Sequence, residues 1–463
     1  MRLCFIALTA LATACGSPSA ENVTTDVRQI GETHETDVLQ HPEWSINATI
    51  YEVNIRQHTP EGTLTAFESD IPRLKEMGVK ILWFMPVHPI GVENRKGGLG
   101  SYYAARDYKA VNPEFGTLED LKRVVNTAHS YGMKVILDWV ANHTAFDHVW
   151  TKTNLNFYLL DSLGKQQPPL GTDWWDVAQL NYENDSLRTA MIDAMAFWLV
   201  EADVDGFRCD VADFVPIDFW ERARAELAVI EPEIFMLAEA ENPKHHYKAF
   251  DMSYSWELMH IMNGIAKGEK NLADLDAYMQ REDTTFIGSA YRMTFTTNHD
   301  ENSWNGTVFE RYGDGHLAFA ALAFTIHGMP LVYSGQEAGL NKALRFFEKD
   351  TIEWGNYAYQ DFYSRLLKAN RDEEALWNGH HGGKFEKLST TEDSHLYAFR
   401  RTRNASSIVT VVNLSDAPRT LTLNTPLEGQ YTSIFNNQIL SNVTSGEITL
   451  EPWGYQVYRR TKQ

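Results

Sequence analysis

Cysteine is nearly absent from the chain: Cys4, Cys15 and Cys209 are the three in 463 residues. That scarcity excludes a small disulfide-stapled scaffold, so stability has to come from a buried core. Positive charge is the minority sign, with 41 Lys and Arg against 62 Asp and Glu and a formal net charge of -21. Such a surface repels phosphates, which excludes a nucleic-acid partner and leaves a neutral ligand unpenalised. Beyond the N-terminus no apolar run is long enough to span a bilayer. No glycine-rich loop follows the first strand-like run, and this argues against a nucleotide-binding fold.

What is present is ordinary for a globular protein: 43% hydrophobic and 22% charged residues, in a chain long enough for one large domain and a smaller one. Thirteen Trp and 20 Tyr mostly serve to fill a core, and they also supply flat apolar faces on which sugar rings stack.

The N-terminus reads as an address. Met1-Arg2 is a short positive start, Leu3 to Ala14 is a short apolar run, and Ala12-Thr13-Ala14-Cys15 precedes Gly16. This resembles a bacterial lipobox. The resemblance implies a signal peptide over 1–14, a lipid on Cys15 and attachment of the exported protein to a membrane through that lipid. Gly16, where Asp often signals inner-membrane retention, implies the outer membrane in a cell that has two. Residues 15–40 are polar and acidic without periodicity and read as a flexible tether. Cys4 leaves with the signal, and a lipidated Cys15 leaves Cys209 without a disulfide partner.

From about residue 45, short β-rich runs alternate with amphipathic segments. The strand candidates are Ala48-Val53, Lys80-Phe84, Lys134-Asp138, Asp205-Cys209, Ile234-Ala238, Met252-Tyr254, Met293-Thr297 and Pro330-Tyr333. Leu118-Tyr131, Ser186-Glu201 and Phe219-Ile230 are helical between them. Eight strand–helix units predict an α/β fold, a (β/α)8 TIM barrel over 41–375, rather than an open sheet. Residues 143–181, after the third strand, form a long connection of the kind that is usually functional. Leu396-Arg400, Ser407-Val412, Thr420-Leu423 and Tyr455-Tyr458 alternate in the tail, which predicts a C-terminal antiparallel β-domain over 376–463.

The chemistry of such a barrel lies at the C-terminal ends of its strands. Four polar stretches stand there: Asp138-Trp-Val-Ala-Asn-His143, Gly206-Phe-Arg-Cys-Asp210, Met236-Leu-Ala-Glu239 and Phe295-Thr-Thr-Asn-His-Asp300. Any one of them alone reads as a turn, a cap or a structural ion pair. In this order, on the third, fourth, fifth and seventh strands, they resemble the four signature regions of the α-amylase family, glycoside hydrolase family 13. Leu82 to Pro86, Gly328 to Glu337, and Tyr103 with Asp107-Tyr108 add to the likeness. The resemblance implies Asp210 as nucleophile, Glu239 as general acid and then base, and Asp300 as the carboxylate gripping sugar hydroxyls. It further implies His143 and His299 as hydrogen-bonding groups for the same sugar and Tyr103 as the ring stacked beneath it.

Retention at a glycosidic bond needs two carboxyl groups about 5 Å apart, one ionised and one protonated. Arg208 lies two residues before Asp210 on the same strand face. Its charge is expected to keep Asp210 ionised while neighbouring carboxylates hold a proton on Glu239. Glu241 is a rival carboxylate, and strand register favours Glu239. Cys209 is expected to pack away from the sugar. The resemblance implies no required cofactor and leaves calcium open. Asn142 matches a frequent calcium ligand of the family, while Val211-Ala212-Asp213-Phe214 lacks the Lys-His pair that often follows the nucleophile. The expected substrate is an α-glucan or maltooligosaccharide. An α-glucosyltransferase or α-1,6-active debranching enzyme on the same scaffold is the alternative, and a non-catalytic glucan-binding lipoprotein is a third reading that the three carboxylates disfavour.

Overall fold

The computed structural model describes residues 39–461 except Asn437 and 444–446; the signal peptide over 1–14, Cys15 and nearly all of the tether fall outside the described residues. Short runs of β-branched and aromatic residues form β1 (Ile50–Val53), β2 (Ile81–Phe84) and β3 (Lys134–Trp139), and two further strands, β4 (His143–Ala145) and β5 (Val177–Gln179), lie in the long connection. Then come β6 (Gly206–Cys209), β7 (Phe235–Ala238), β8 (Met252–Tyr254), β9 (Tyr291–Thr294) and β10 (Met329–Tyr333). All but β4 and β5 close into a barrel, in the order β1-β10-β9-β8-β7-β6-β3-β2, with every pairing parallel. This is the architecture the alternating pattern predicts.

Helices cover the outside because their sequences carry one apolar stripe each. In Leu118–Ser130 the buried residues are Leu121, Val124, Val125 and Ala128, and Thr117 with Asp120 closes a capping box at its start. That spacing is one face of a helix, and the box satisfies two backbone donors that would otherwise be orphaned. The expected helices over 186–201 and 219–230 are found as Asp185–Ala202 and Ile217–Ile230. No helix among the described residues is long and apolar enough to cross a membrane.

Most barrel strands differ by a residue or more from their expected limits, and two of these differences have local reasons. The fourth barrel strand starts at Gly206, where a Cβ would meet the Phe235 carbonyl oxygen at 1.8 Å; only glycine lets the two strands approach there. The seventh stops at Thr294 instead of Thr297. Beyond it, the Thr296 carbonyl accepts from Arg311 at 2.7 Å and its hydroxyl from Gln336 at 3.0 Å, so this residue is held by side chains rather than by a ladder. The chain is thereby turned to present Asn298-His299-Asp300 at the barrel mouth.

The long connection after β3 carries its own antiparallel pair, β4 with β5, in which His143 faces Gln179. It packs a small cluster of Ile90, Ala104, Ala145 and Val177 against the barrel's second loop. The last barrel helix ends at Asp372. The tail then forms β11 (Lys384–Lys387), β12 (Leu396–Arg403), β13 (Ser406–Asn413), β14 (Arg419–Leu421), β15 (Leu427–Ser433), β16 (Ile439–Val443), β17 (Ile448–Leu450) and β18 (Tyr455–Arg460). Six of them make a sheet ordered β11-β12-β13-β18-β15-β16, and β14 pairs with β17. Strand alternation lets this sheet bury both faces. Leu396, Ala398, Val409 and Val411 join the core beneath β14 and β17, while Tyr397, Phe399, Ile408 and Val412 join the barrel core. β11, β15, β16 and β17 were not evident from sequence, because their alternation is short and broken by polar residues.

Candidate active site

The polar residues of the four stretches meet at the C-terminal mouth of the barrel, in a cavity of about 390 Å³. Tyr103, His143, Asp210, Glu239, His299 and Asp300 all line it, and Arg208 forms its floor. Arg208 is fully buried and reaches several carboxylates at once. Its Nη1 donates to Asp138 Oδ1 at 2.8 Å and Asp210 Oδ1 at 3.0 Å, and its Nη2 lies 2.8 Å from Glu239 Oε2, off the direction of a hydrogen bond. Its Nε donates to the Tyr254 hydroxyl at 3.1 Å, and the guanidinium lies over the rings of Trp83, Tyr103 and Tyr254. Asp138 and Arg208 are register partners on β3 and β6, so backbone pairing alone sets that ion pair. Asp210 and Glu239 follow the ends of the adjacent strands β6 and β7.

Burial pushes the Asp138, Asp210 and Glu239 carboxyls upward against the opposing pull of Arg208; neighbouring carboxylates add to the rise at Asp210 and Glu239, while His299 and Tyr103 pull Asp138 down. The sequence expectation gave Arg208 to Asp210. The structure shares it among three carboxyl groups, so the cluster as a whole retains a proton. Glu239 Oε2 also accepts the Val211 backbone N–H at 2.8 Å. Val211 has φ 36°, a left-handed value costly for a β-branched residue, and this strained turn aims its amide at the acid.

His299 is buried between two carboxylates. Its Nδ1 lies 2.5 Å from Glu52 Oε1, and its Nε2 lies 2.7 Å from the Tyr103 hydroxyl and 3.3 Å from Asp300 Oδ2. Burial lowers its basicity, yet Asp300 and Glu52 outweigh that and hold it at about 9, so it is an imidazolium at neutral pH. His143 is the opposite case: burial pulls it to about 3, and it is neutral, with Asn142 Nδ2 at 3.1 Å from its Nδ1. Tyr103 stacks on His299 with ring centroids 5.4 Å apart, and its hydroxyl donates to Asp138 Oδ2 at 3.1 Å.

Glu241 turns away from the mouth. β7 ends at Ala238, so strand alternation no longer applies to Glu241, which pairs with Arg292 at 2.9 Å and accepts the Glu257 N–H. Cys209 is buried on the outer side of β6, where burial raises its thiol. Asn142 directs its amide to His143, Asp213 pairs with His245 at 2.8 Å, and no group of three or more His, Cys, Asp or Glu is placed to hold a metal among the described residues.

Sequence reasoning missed several residues of the site. Asp138 lies inside a quoted stretch but was not chosen, although it anchors both Arg208 and Tyr103. Glu52 was missed altogether; the signal was a carboxylate in the middle of an otherwise apolar strand. Trp174 comes from the long connection and stacks on Phe214 with centroids 6.0 Å apart. Trp304, Phe346 and Phe347 pack together on the opposite rim, carried by loops whose sequence gives no periodic signal.

Comparison with known proteins identifies the family. The family model for the alpha amylase catalytic domain matches residues 31–175 and 165–386. An alpha-amylase of Haloarcula japonica is 26% identical over 88% of this chain, which spans 61% of that relative's length. Neopullulanase 2 of Thermoactinomyces vulgaris is 25% identical over 89% of this chain and 77% of its own. Among solved structures, a maltogenic alpha-amylase of Thermotoga neapolitana superposes with a TM-score of 0.82 at 28% identity, covering 91% of this chain and all of that one (100%). An alpha-amylase of Lactobacillus plantarum gives a TM-score of 0.80 at 28% identity over 90% and 100%. With a closed parallel barrel, an antiparallel tail and the family model matched over most of its length, the chain belongs to the alpha-amylase family of glycoside hydrolases.

Proposed function

We propose that the enzyme hydrolyses α-glucosidic bonds of α-glucans or maltooligosaccharides with retention, through a covalent glycosyl ester on Asp210. The observation that carries this reading is the single buried guanidinium of Arg208 in contact with both Asp210 and Glu239, which holds the two carboxyl groups side by side at the mouth. Asp210 attacks the anomeric carbon while the glycosidic oxygen takes a proton from Glu239 and departs. Water then gives its proton to Glu239 and attacks the same carbon, releasing Asp210. Because Glu239 Oε2 accepts the Val211 N–H, the transferable proton resides on Oε1. Asp300, His143 and His299 bind the hydroxyls of the reacting sugar, and Tyr103 supplies the face beneath it. The likeness to an alpha-amylase, a neopullulanase and a cyclomaltodextrinase supports a glucan substrate. The test is incubation with maltoheptaose, with product chromatography and proton NMR of fresh product. Shorter α-anomeric oligosaccharides are expected first. Initial β-product refutes the mechanism, transfer products longer than the substrate favour the glucosyltransferase, and no turnover refutes the enzyme.

We further propose that the protein is exported and held on a bacterial membrane, the outer one where there are two, by lipid on Cys15. The support is the sequence Ala12-Thr13-Ala14-Cys15-Gly16 after an apolar run. Acyl chains contribute about 0.8 kcal/mol per buried CH2, so more than one gives stable anchoring. The wild type is expected to follow membranes and partition into detergent, and Cys15→Ala to be soluble or unprocessed. A soluble wild type with unmodified Cys15 refutes the anchor.

A further inference from the structure

Glu52 sits on β1 and points into the barrel, fully buried, one register step from Trp83 on β2 and from Tyr333 on β10. No step of the reaction proposed above uses it. A carboxylate taken out of water without a role is costly and would be replaced by an apolar residue without loss of packing. Here one oxygen, Oε1, lies 2.5 Å from His299 Nδ1, and the other, Oε2, has no hydrogen-bond partner although it is buried. The carboxylate is therefore built for one partner.

From His299 the contacts continue without a gap. Its Nε2 meets the Tyr103 hydroxyl at 2.7 Å, that hydroxyl donates to Asp138 Oδ2 at 3.1 Å, and Asp138 Oδ1 accepts from Arg208 Nη1 at 2.8 Å. Arg208 in turn touches Asp210 and Glu239. The direction of the bonds matters. The Tyr103 hydroxyl has one proton, and it donates that proton to Asp138 only while His299 Nε2 carries a proton of its own. A neutral His299 with its proton on Nδ1 would make Nε2 an acceptor and draw the Tyr103 proton away from Asp138.

We propose that Glu52 is the positioning residue of the active site: by holding His299 doubly protonated it fixes the direction of the Tyr103–Asp138–Arg208 contacts beneath the two reacting carboxyl groups. This rests on the reading of Asp210 and Glu239 given above. The groups facing His299 are Glu52 from β1, Tyr103 from the second loop, Asp138 from β3, Arg208 from β6, Glu239 from the end of β7 and Asp300 beside it. Glu52 and Asp300 favour its charge, Arg208 opposes it and burial opposes it. Without the Glu52 charge the balance moves against the second proton.

The experiment is Glu52→Gln, with Glu52→Asp as the conservative variant, read in two ways. Histidine ring NMR on protein labelled at the imidazole carbon, with His299 assigned by its disappearance in His299→Gln, reports its titration directly. The wild-type midpoint is expected at about 9, falling in Glu52→Gln to the neutral range near about 7 or below. Glu52→Asp is expected to lie between the two. In the second reading, kcat/KM on maltoheptaose is followed against pH. Glu52→Gln is expected to lose about tenfold more at pH 8 than at pH 5.5 relative to wild type, on the scale of one imidazole proton, with the loss in kcat rather than KM. A His299 midpoint unchanged in Glu52→Gln overturns the proposal, and so does an equal loss of activity at both pH values, which marks a merely structural residue. Should wild-type protein show no glucan cleavage, the functional reading fails while the NMR titration still decides whether Glu52 sets the charge of His299.

Discussion

Replacing Arg208 with Met keeps most of the side-chain volume and removes the charge. In the wild type that guanidinium lies within 3.0 Å of Asp138 and Asp210 and 2.8 Å from Glu239, all in the barrel mouth. Breaking a buried ion pair by removing one partner costs about 3–5 kcal/mol at neutral pH, because the remaining charge is left in a poor solvent. An unfolding entropy of roughly 2.1 cal/mol/K per residue over roughly 420 residues makes this a fall of about 4 °C in melting temperature. The loss has a pH signature. Burial already holds the three carboxyls above their unfolded values, so their stabilising contribution is full below the unfolded values near about 4 and is lost as pH rises through the folded ones. Without Arg208 the folded values rise further. Arg208→Met should therefore melt close to wild type at about pH 5 and fall away from it towards about pH 8. The assay is a thermal melt by circular dichroism at both pH values. An equal deficit at both would mean a packing defect, and no deficit at pH 8 would mean that the carboxylates find other partners; either result refutes the shared-cation account.

Asp210→Asn is expected to abolish turnover while retaining maltooligosaccharide binding by calorimetry, because the amide keeps the shape but forms no ester. Glu239→Gln should lose about 10²–10⁴-fold on natural glucans and far less on substrates whose leaving group needs no proton, as followed by release of an activated phenol. Glu241→Gln removes a partner of Arg292 and should lower stability by about 1 kcal/mol with turnover near wild type; a larger loss of activity than in Glu239→Gln would reassign the acid. Arg401 is fully buried in β12 and donates to the carbonyls of Gly383, Ile326 and Trp377, each at 3.0 Å. Arg401→Met is expected to lower stability by about 3–5 kcal/mol in denaturant melts, with activity per folded molecule unchanged.

Much of the architecture was legible because barrel strands buried on both faces read as short continuous apolar runs, and their helices carry a 3.6-residue stripe. The residues at strand ends were legible for a related reason: Asp210 and Glu239 are charged residues immediately after such runs, where a barrel opens to solvent, and Asp300 closes the polar stretch that follows β9. What was not legible depends on contacts between distant segments. The early end of β9 follows from Arg311 and Gln336 claiming Thr296, and neither partner is identifiable from the run Met293-Thr297 itself. Asp138 reads as one more polar strand end until its register beside Arg208 is known. Glu52 is a lone carboxylate in an otherwise apolar strand, and only barrel closure brings it onto His299. The aromatic rim of Trp304, Phe346 and Phe347 is assembled from two loops without periodicity.

The distribution of charge in the mouth bears on how one glutamate serves both as acid and as base. Glu52, Asp138, Asp210, Glu239 and Asp300 are in contact with two shared cations, Arg208 and the imidazolium of His299. Carboxyl groups crowded in this way cannot all be ionised, and burial together with neighbouring carboxylates raises both Asp210 and Glu239, so the pair retains a proton before the first step. In the proposed reaction Asp210 becomes an ester and loses its charge. Arg208, no longer shared with an Asp210 carboxylate, then acts more strongly on Glu239 through the Nη2 that already lies beside it. Two changes thus keep Glu239 ionised once it has given up its proton, so that it is available as a base towards water: one negative neighbour is gone and the common cation is less divided. The alternation of roles follows from a covalent change at Asp210 transmitted through one guanidinium, with no movement of the backbone required.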